Sequence, residues 1–125
     1  MCAIVGRGLT ALGYQVTLVT TTPSSSKDEY AFEVVRNPRH MQLVQLIRAA
    51  DVVLQMNVSL KGIWPLLFVH RPVVIAHQGV YQGPNGRMRW RDHLKVFIAR
   101  RAVNICCSEA VAQALPIQST VVRNG

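Results

Sequence analysis

The chain has 125 residues, half of them apolar and 16% charged, which excludes a disordered polypeptide and leaves room for one domain. Fourteen Lys and Arg against six Asp and Glu give a net charge of +8. The excess is uneven: residues 1–62 carry six basic and four acidic groups, residues 63–125 eight and two, a bias toward an anionic partner such as phosphate, nucleic acid or an acidic membrane surface.

In chain order, residues 1–12 read as a helix closed by Gly13, since glycine readily takes the left-handed conformation that ends helices. Residues 15–21 (QVTLVTT) and 33–36 (EVVR) read as strands. Pro38 precedes a helical stretch over 39–50, in which Leu43, Leu46 and Ile47 recur at the spacing of one helix face. A strand over 51–56 (DVVLQM) begins at Asp51, a local cap or bend. The helical pattern of 58–69 contains Pro65, so that helix is kinked or begins there. The run 63–69 is the longest apolar one, far short of the ~20 residues of a spanning helix. Residues 72–77 (PVVIAH) read as a strand and 79–86 (GVYQGPNG) as a glycine-rich loop with a turn at its end. An amphipathic helix over 87–102, a strand over 104–107 (NICC), a helix over 108–115 and a strand over 120–123 (TVVR) follow. Ser108 is placed to cap the last helix with Glu109 in its first turn, and Pro116 stops it.

Several strands are apolar on consecutive positions, which suits strands covered on both faces. Their alternation with helices predicts repeated βαβ units. The fold class is α/β, with an open, mostly parallel, Rossmann-like sheet and helices on both faces. A doubly wound sheet ordinarily starts with a central strand and a glycine turn. The opening helix and the closing Asn124–Gly125 turn are therefore expected to be cuts through a larger architecture, and 1–125 a partial single domain.

Five segments in order carry a resemblance: LTALGYQVTLVTT over 9–21, LIRAADVVLQM over 46–56, VVIAHQG over 73–79, ICCSEAVAQAL over 105–115 and VVRNG over 121–125. Together they resemble the N-terminal, acceptor-side domain of a GT-B-fold glycosyltransferase of family 4, with Tyr14 where that family usually has His. The resemblance implies retaining, metal-independent transfer of a sugar from a nucleotide-sugar to a glycan or lipid-linked acceptor. The nucleotide-sugar is a co-substrate and no cofactor is implied. The family's first strand, its glycine-rich loop and its donor-binding C-terminal domain have no counterpart here, so a C-terminal domain or partner chain is expected and this chain alone is expected to be inactive. The resemblance also puts a substrate-contacting His at His77 and a hinge at Asn124 and Gly125.

His77 ends a predicted buried strand, where open α/β sheets place ligands. An imidazole there can orient a sugar hydroxyl; a strand-end His bonded to a nearby carbonyl is the competing reading. Gly79, Tyr81 and Asn85 lie on the following loop and are candidates for acceptor binding, against a plain connection. On the helix over 87–102, Trp90, Leu94, Phe97 and Ile98 are expected to face the sheet, and Arg87, Arg91 and Lys95 to form a basic face. That face suits phosphates of a lipid-linked acceptor or of an anionic bilayer. An alternative function follows: a basic, non-catalytic α/β module that docks on an anionic membrane or on a partner subunit.

Nucleic acid is not expected, since no helix-turn-helix, zinc or stacking signature accompanies the charge. Asp92 is expected to pair with Arg or Lys at helical spacing, and no two acids form a pair suited to hydrolysis. The four His and three Cys show no zinc spacing. Cys106 and Cys107 fall in a predicted buried strand and read as structural. Ser108 lacks a G-x-S-x-G context. Without a secretory signal pattern the chain reads as cytoplasmic, peripheral at the inner membrane face.

Overall fold

The computed structural model describes residues 2–23, 30–79 and 85–123. The chain is α/β, with parallel strands in open sheets flanked by helices, and it divides into two compact units, Met1–Leu43 and Val44–Gly125. All six predicted strands form, and each predicted helical stretch holds a helix.

The first unit contains α1 (Cys2–Ala11), β1 (Thr17–Thr20) and β2 (Glu33–Arg36). Helix α1 ends as its glycine dictates. Gly13 has φ +91, its N–H donates to Thr10 O at 3.0 Å, and the N–H of Tyr14 reaches back to Leu9 O at 3.1 Å. This pair of bonds satisfies two carbonyls that a helix end would otherwise leave open. Gly6 is buried because the Phe32 ring lies against it; a Cβ on Gly6 would come within 2.8 Å of that ring. β1 and β2 pair in parallel from Thr17↔Glu33 to Thr20↔Arg36. Their carboxyl ends are tied by the Asn37 N–H to Thr20 O (2.9 Å) and by the Arg36 guanidinium to Thr22 O (2.6 Å).

The boundary between the units passes through α2 (His40–Ala49). Of its predicted inward residues Leu43 and Ile47 are buried and Leu46 is half-buried. The second unit carries a four-stranded parallel sheet in the order β3 (Val53–Met56), β4 (Val73–His77), β5 (Val103–Cys106), β6 (Thr120–Val121). Arg71 donates from Nε and Nη2 to Arg48 O, at 3.2 and 2.7 Å, capping the last turn of α2.

Pro65 changes the helix type, as its missing N–H requires. α3 (Leu60–Ile63) gives way to a 3-10 turn over Trp64–Leu67 with Pro65 in its first positions. α5 (Glu109–Ala114) starts where Ser108 Oγ accepts the N–H of Val111 at 3.3 Å. It stops at Leu115, which is extended with ψ 135, the conformation a residue before proline prefers. The core of the unit gathers Val58, Ile63, Ile75, Ile98 and Ala99, with Val73, Leu66 and Leu94 around them. Because side chains alternate along a strand, Val73, Ile75 and His77 share one face of β4. α3 and α4 (Trp90–Ala99) cover that face.

α4 keeps part of its expected inward face: Leu94 and Ile98 pack on the core as expected, whereas Trp90 and Phe97 do not. Val96, Ile98 and Ala99 are buried and Leu94 is half-buried, while Trp90 and Phe97 point outward at 70% and 47% exposure. Ala99 is completely inaccessible in the core cluster. A small side chain allows close approach of helix and sheet, and interior packing leaves no space there for two large rings.

Candidate functional site

The carboxyl ends of β3, β4 and β5 lie side by side, because the register pairs Met56 with Ala76 and His77 with Cys106. Open parallel sheets bind ligands outside their carboxyl ends, at a point where the strand order reverses; β3 to β6 themselves run in sequence order. The edge begins at Asn57, a left-handed residue with φ 58 directly after β3. Its N–H donates to Ala76 O at 2.9 Å, and its Oδ1 accepts the N–H of Gln78 at 2.8 Å. Asn tolerates this conformation better than most residues. The paired bonds bind the tips of β3 and β4 into one rim.

Beside it, the N–H of Cys107 donates to His77 O (3.3 Å) and that of Val122 to Cys106 O (2.8 Å). The tips of β5 and β6 thereby join the same line. Gln78 and Gly79 are exposed on this rim, and Ser108 is half-buried at the start of α5. These groups offer amides, a hydroxyl and backbone to a ligand.

His77 is wholly buried, 0% exposed. Its Nε2 lies 2.7 Å from Oδ1 of Asn104, itself 7% exposed. Asn104 belongs to β5 and faces the same side of the sheet, two positions from the partner of His77. Its Nδ2 donates to Ala99 O at 2.7 Å and to Ala102 O at 3.0 Å, the carbonyls at the end of α4. One side chain therefore joins β5, the strand-end histidine and the helix terminus. Sequence reading does not single out Asn104. The signal available was a lone amide inside a run expected to be buried, where a polar group needs partners.

The other predicted positions are spread out. Gly79 follows β4, and Asn85 is exposed in the turn before α4, next to Gly86 with φ +67. Tyr81, Asn124 and Gly125 lie outside the described residues. Arg87 and Arg91 are exposed. Lys95 is half-buried, and its Nζ lies 3.7 Å from Oδ1 of Asp92, the pairing expected of that acid. Asp92 Oδ2 also accepts the N–H of Arg89 at 2.9 Å, which satisfies an open donor at the start of α4. Cys106 is buried, and its thiol donates to Ser119 Oγ at 3.0 Å. Among the described residues no group of three or more His, Cys, Asp or Glu gathers to hold a metal ion, and no helix is long and apolar enough to cross a membrane.

No protein-family model matches the chain, and no curated protein or solved structure matches it either.

Proposed function

We propose that the chain is the acceptor-side part of a glycosyltransferase, moving a sugar from a nucleotide-sugar to a glycan or lipid-linked acceptor. The observation that carries the reading is the polar rim of Asn57, Gln78 and Ser108 along aligned parallel strand ends. Amide and hydroxyl side chains in a row can exchange hydrogen bonds with the hydroxyls of a sugar ring. In the transfer, the acceptor oxygen bonds to the anomeric carbon, the bond from that carbon to the diphosphate oxygen breaks, and the hydroxyl proton passes to the departing diphosphate. The acceptor side contributes by holding the hydroxyl in line, which lowers the barrier by positioning.

His77 serves this reading as a positioning residue. Its Nε2 is engaged by Asn104 and its ring is inside the unit, so it fixes the end of β4 from which Gln78 and Gly79 extend.

The test is amide NMR of the chain titrated with monosaccharides, oligosaccharides and phosphosugar lipid analogues. Shift changes are expected to cluster at Asn57, Gln78, Gly79 and Ser108. No response to any of these compounds overturns the proposal. Sugar transfer from nucleoside-diphosphate sugars by the 125-residue chain alone would overturn its restriction to the acceptor side.

A further inference from the structure

We infer that the outward face of α4 is a docking surface for an anionic lipid bilayer. The inference stands apart from the proposed enzymatic role. Its basis is the orientation of Trp90 and Phe97, which are 70% and 47% exposed although both are large and apolar. Seven residues is nearly two helical turns, so the two rings lie on one stripe about 10 Å apart along the helix. Arg101 lies just past the end of the helix, where its guanidinium reaches back to the Phe97 ring.

Each ring carries a cation. The Arg91 guanidinium lies 5.5 Å over the Trp90 ring and that of Arg101 4.6 Å over the Phe97 ring. Arg89 and Arg100 are exposed at the two ends of the helix. The acid of this segment, Asp92, is engaged by the Arg89 N–H and by Lys95, leaving the face cationic. Aromatic rings with an apolar body seat at the boundary between headgroups and acyl chains, while guanidiniums meet lipid phosphates.

The chemistry excludes the other occupants. A second copy would set one cationic face against another. Single-stranded nucleic acid is held in a groove with bases stacked on open ring faces, whereas these rings project from a helix surface and are covered by their own arginines. A flat anionic surface matches both the shape and the charge.

The experiment is co-sedimentation of the full chain with phosphatidylcholine vesicles, with and without phosphatidylglycerol, followed by tryptophan emission. Binding is expected only with the anionic lipid, weakening as salt rises, with a blue shift that disappears in Trp90→Phe, where Trp64 is the remaining tryptophan. Arg100→Gln with Arg101→Gln should weaken binding about 25-fold, at about fivefold for each arginine. Trp90→Ala with Phe97→Ala should weaken it about tenfold. All four side chains are exposed, and far-ultraviolet circular dichroism checks that the variants fold. Equal binding to both vesicle types, or unchanged affinity in both double variants, overturns the assignment. So does Trp90 emission that is unmoved by vesicles and quenched by single-stranded RNA.

Discussion

The hydrogen bond between His77 Nε2 and Asn104 Oδ1, 2.7 Å long, has its direction fixed from the asparagine side. Nδ2 of Asn104 faces two carbonyl oxygens, of Ala99 and Ala102, and only the amide nitrogen can donate to them. Reversing the amide would set its oxygen against both. Oδ1 must therefore accept, and Nε2 of His77 carries the hydrogen. A slowly exchanging ring proton on Nε2, with cross-relaxation to Asn104, is the expected NMR signature. A ring protonated only at Nδ1 would contradict the network.

Removing Asn104 leaves the buried His77 donor and Ala102 O without this partner, while Ala99 O keeps the Ala102 N–H at 3.1 Å. Since each unsatisfied buried group costs ~1–3 kcal/mol, Asn104→Ala should lower unfolding free energy by about 3 kcal/mol in urea titrations. A loss below about 0.5 kcal/mol, the scale of a neutral surface change, would show that the network contributes little.

Two glycines on α1 should respond to alanine with opposite signs. At Gly8 an added Cβ meets nothing within 4 Å, so Gly8→Ala should stabilise by about 0.5–1 kcal/mol through helix propensity. At Gly6 the same methyl would come within 2.8 Å of the Phe32 ring, a ring held by stacking on Tyr30 at 5.1 Å. Overpacking of that kind costs ~1–3 kcal/mol, which exceeds the propensity gain. Thermal melts of the two variants should shift in opposite directions.

The cap of α5 gives a simpler expectation. Ser108 Oγ accepts from the Val111 N–H in a helix of six residues, too short to form without tertiary support. Ser108→Ala should cost about 1 kcal/mol, while Ser108→Asp, which keeps an acceptor at the same position, should cost less. Denaturation midpoints separate them.

The strands and caps were legible because their signals are local. Short apolar runs bounded by turn residues locate β1 through β6, and Gly13, Pro65, Ser108 and Pro116 each impose a conformation through their own chemistry. The orientation of α4 was legible only in Leu94 and Ile98, which face the core as expected, and not in its two rings. Trp90, Leu94, Val96, Phe97, Ile98 and Ala99 spread apolar side chains around much of the helix, so two stripes compete. Hydrophobicity favours the rings, but close packing against β4 selects the smaller residues, and that outcome depends on neighbours distant in sequence. The candidate edge was half legible. His77 at a strand end marks it, but Asn104 and the Asn57–Gln78 bond arise from register between strands about twenty or more residues apart, which no single segment encodes.

Asn57 allows geometry and recognition to be separated. It supplies both a left-handed backbone, φ 58, and a side-chain acceptor for the Gln78 N–H. Asn57→Gly keeps the first and loses the second, so it should lose only about 1 kcal/mol, one hydrogen bond. Asn57→Ala loses both and should cost about 2 kcal/mol, since alanine is strained where glycine is not. Asn57→Asp retains an acceptor and an accommodating backbone and should stay within about 0.5 kcal/mol of the parent. If the rim binds sugar, the Gly variant should lose sugar-induced shifts at Gln78 beyond its small change in stability, because the Gln78 N–H loses its side-chain anchor while the backbone bond from residue 57 to Ala76 O remains. Equal responses in Asn57→Gly and the parent would mean that the rim does not depend on this bond.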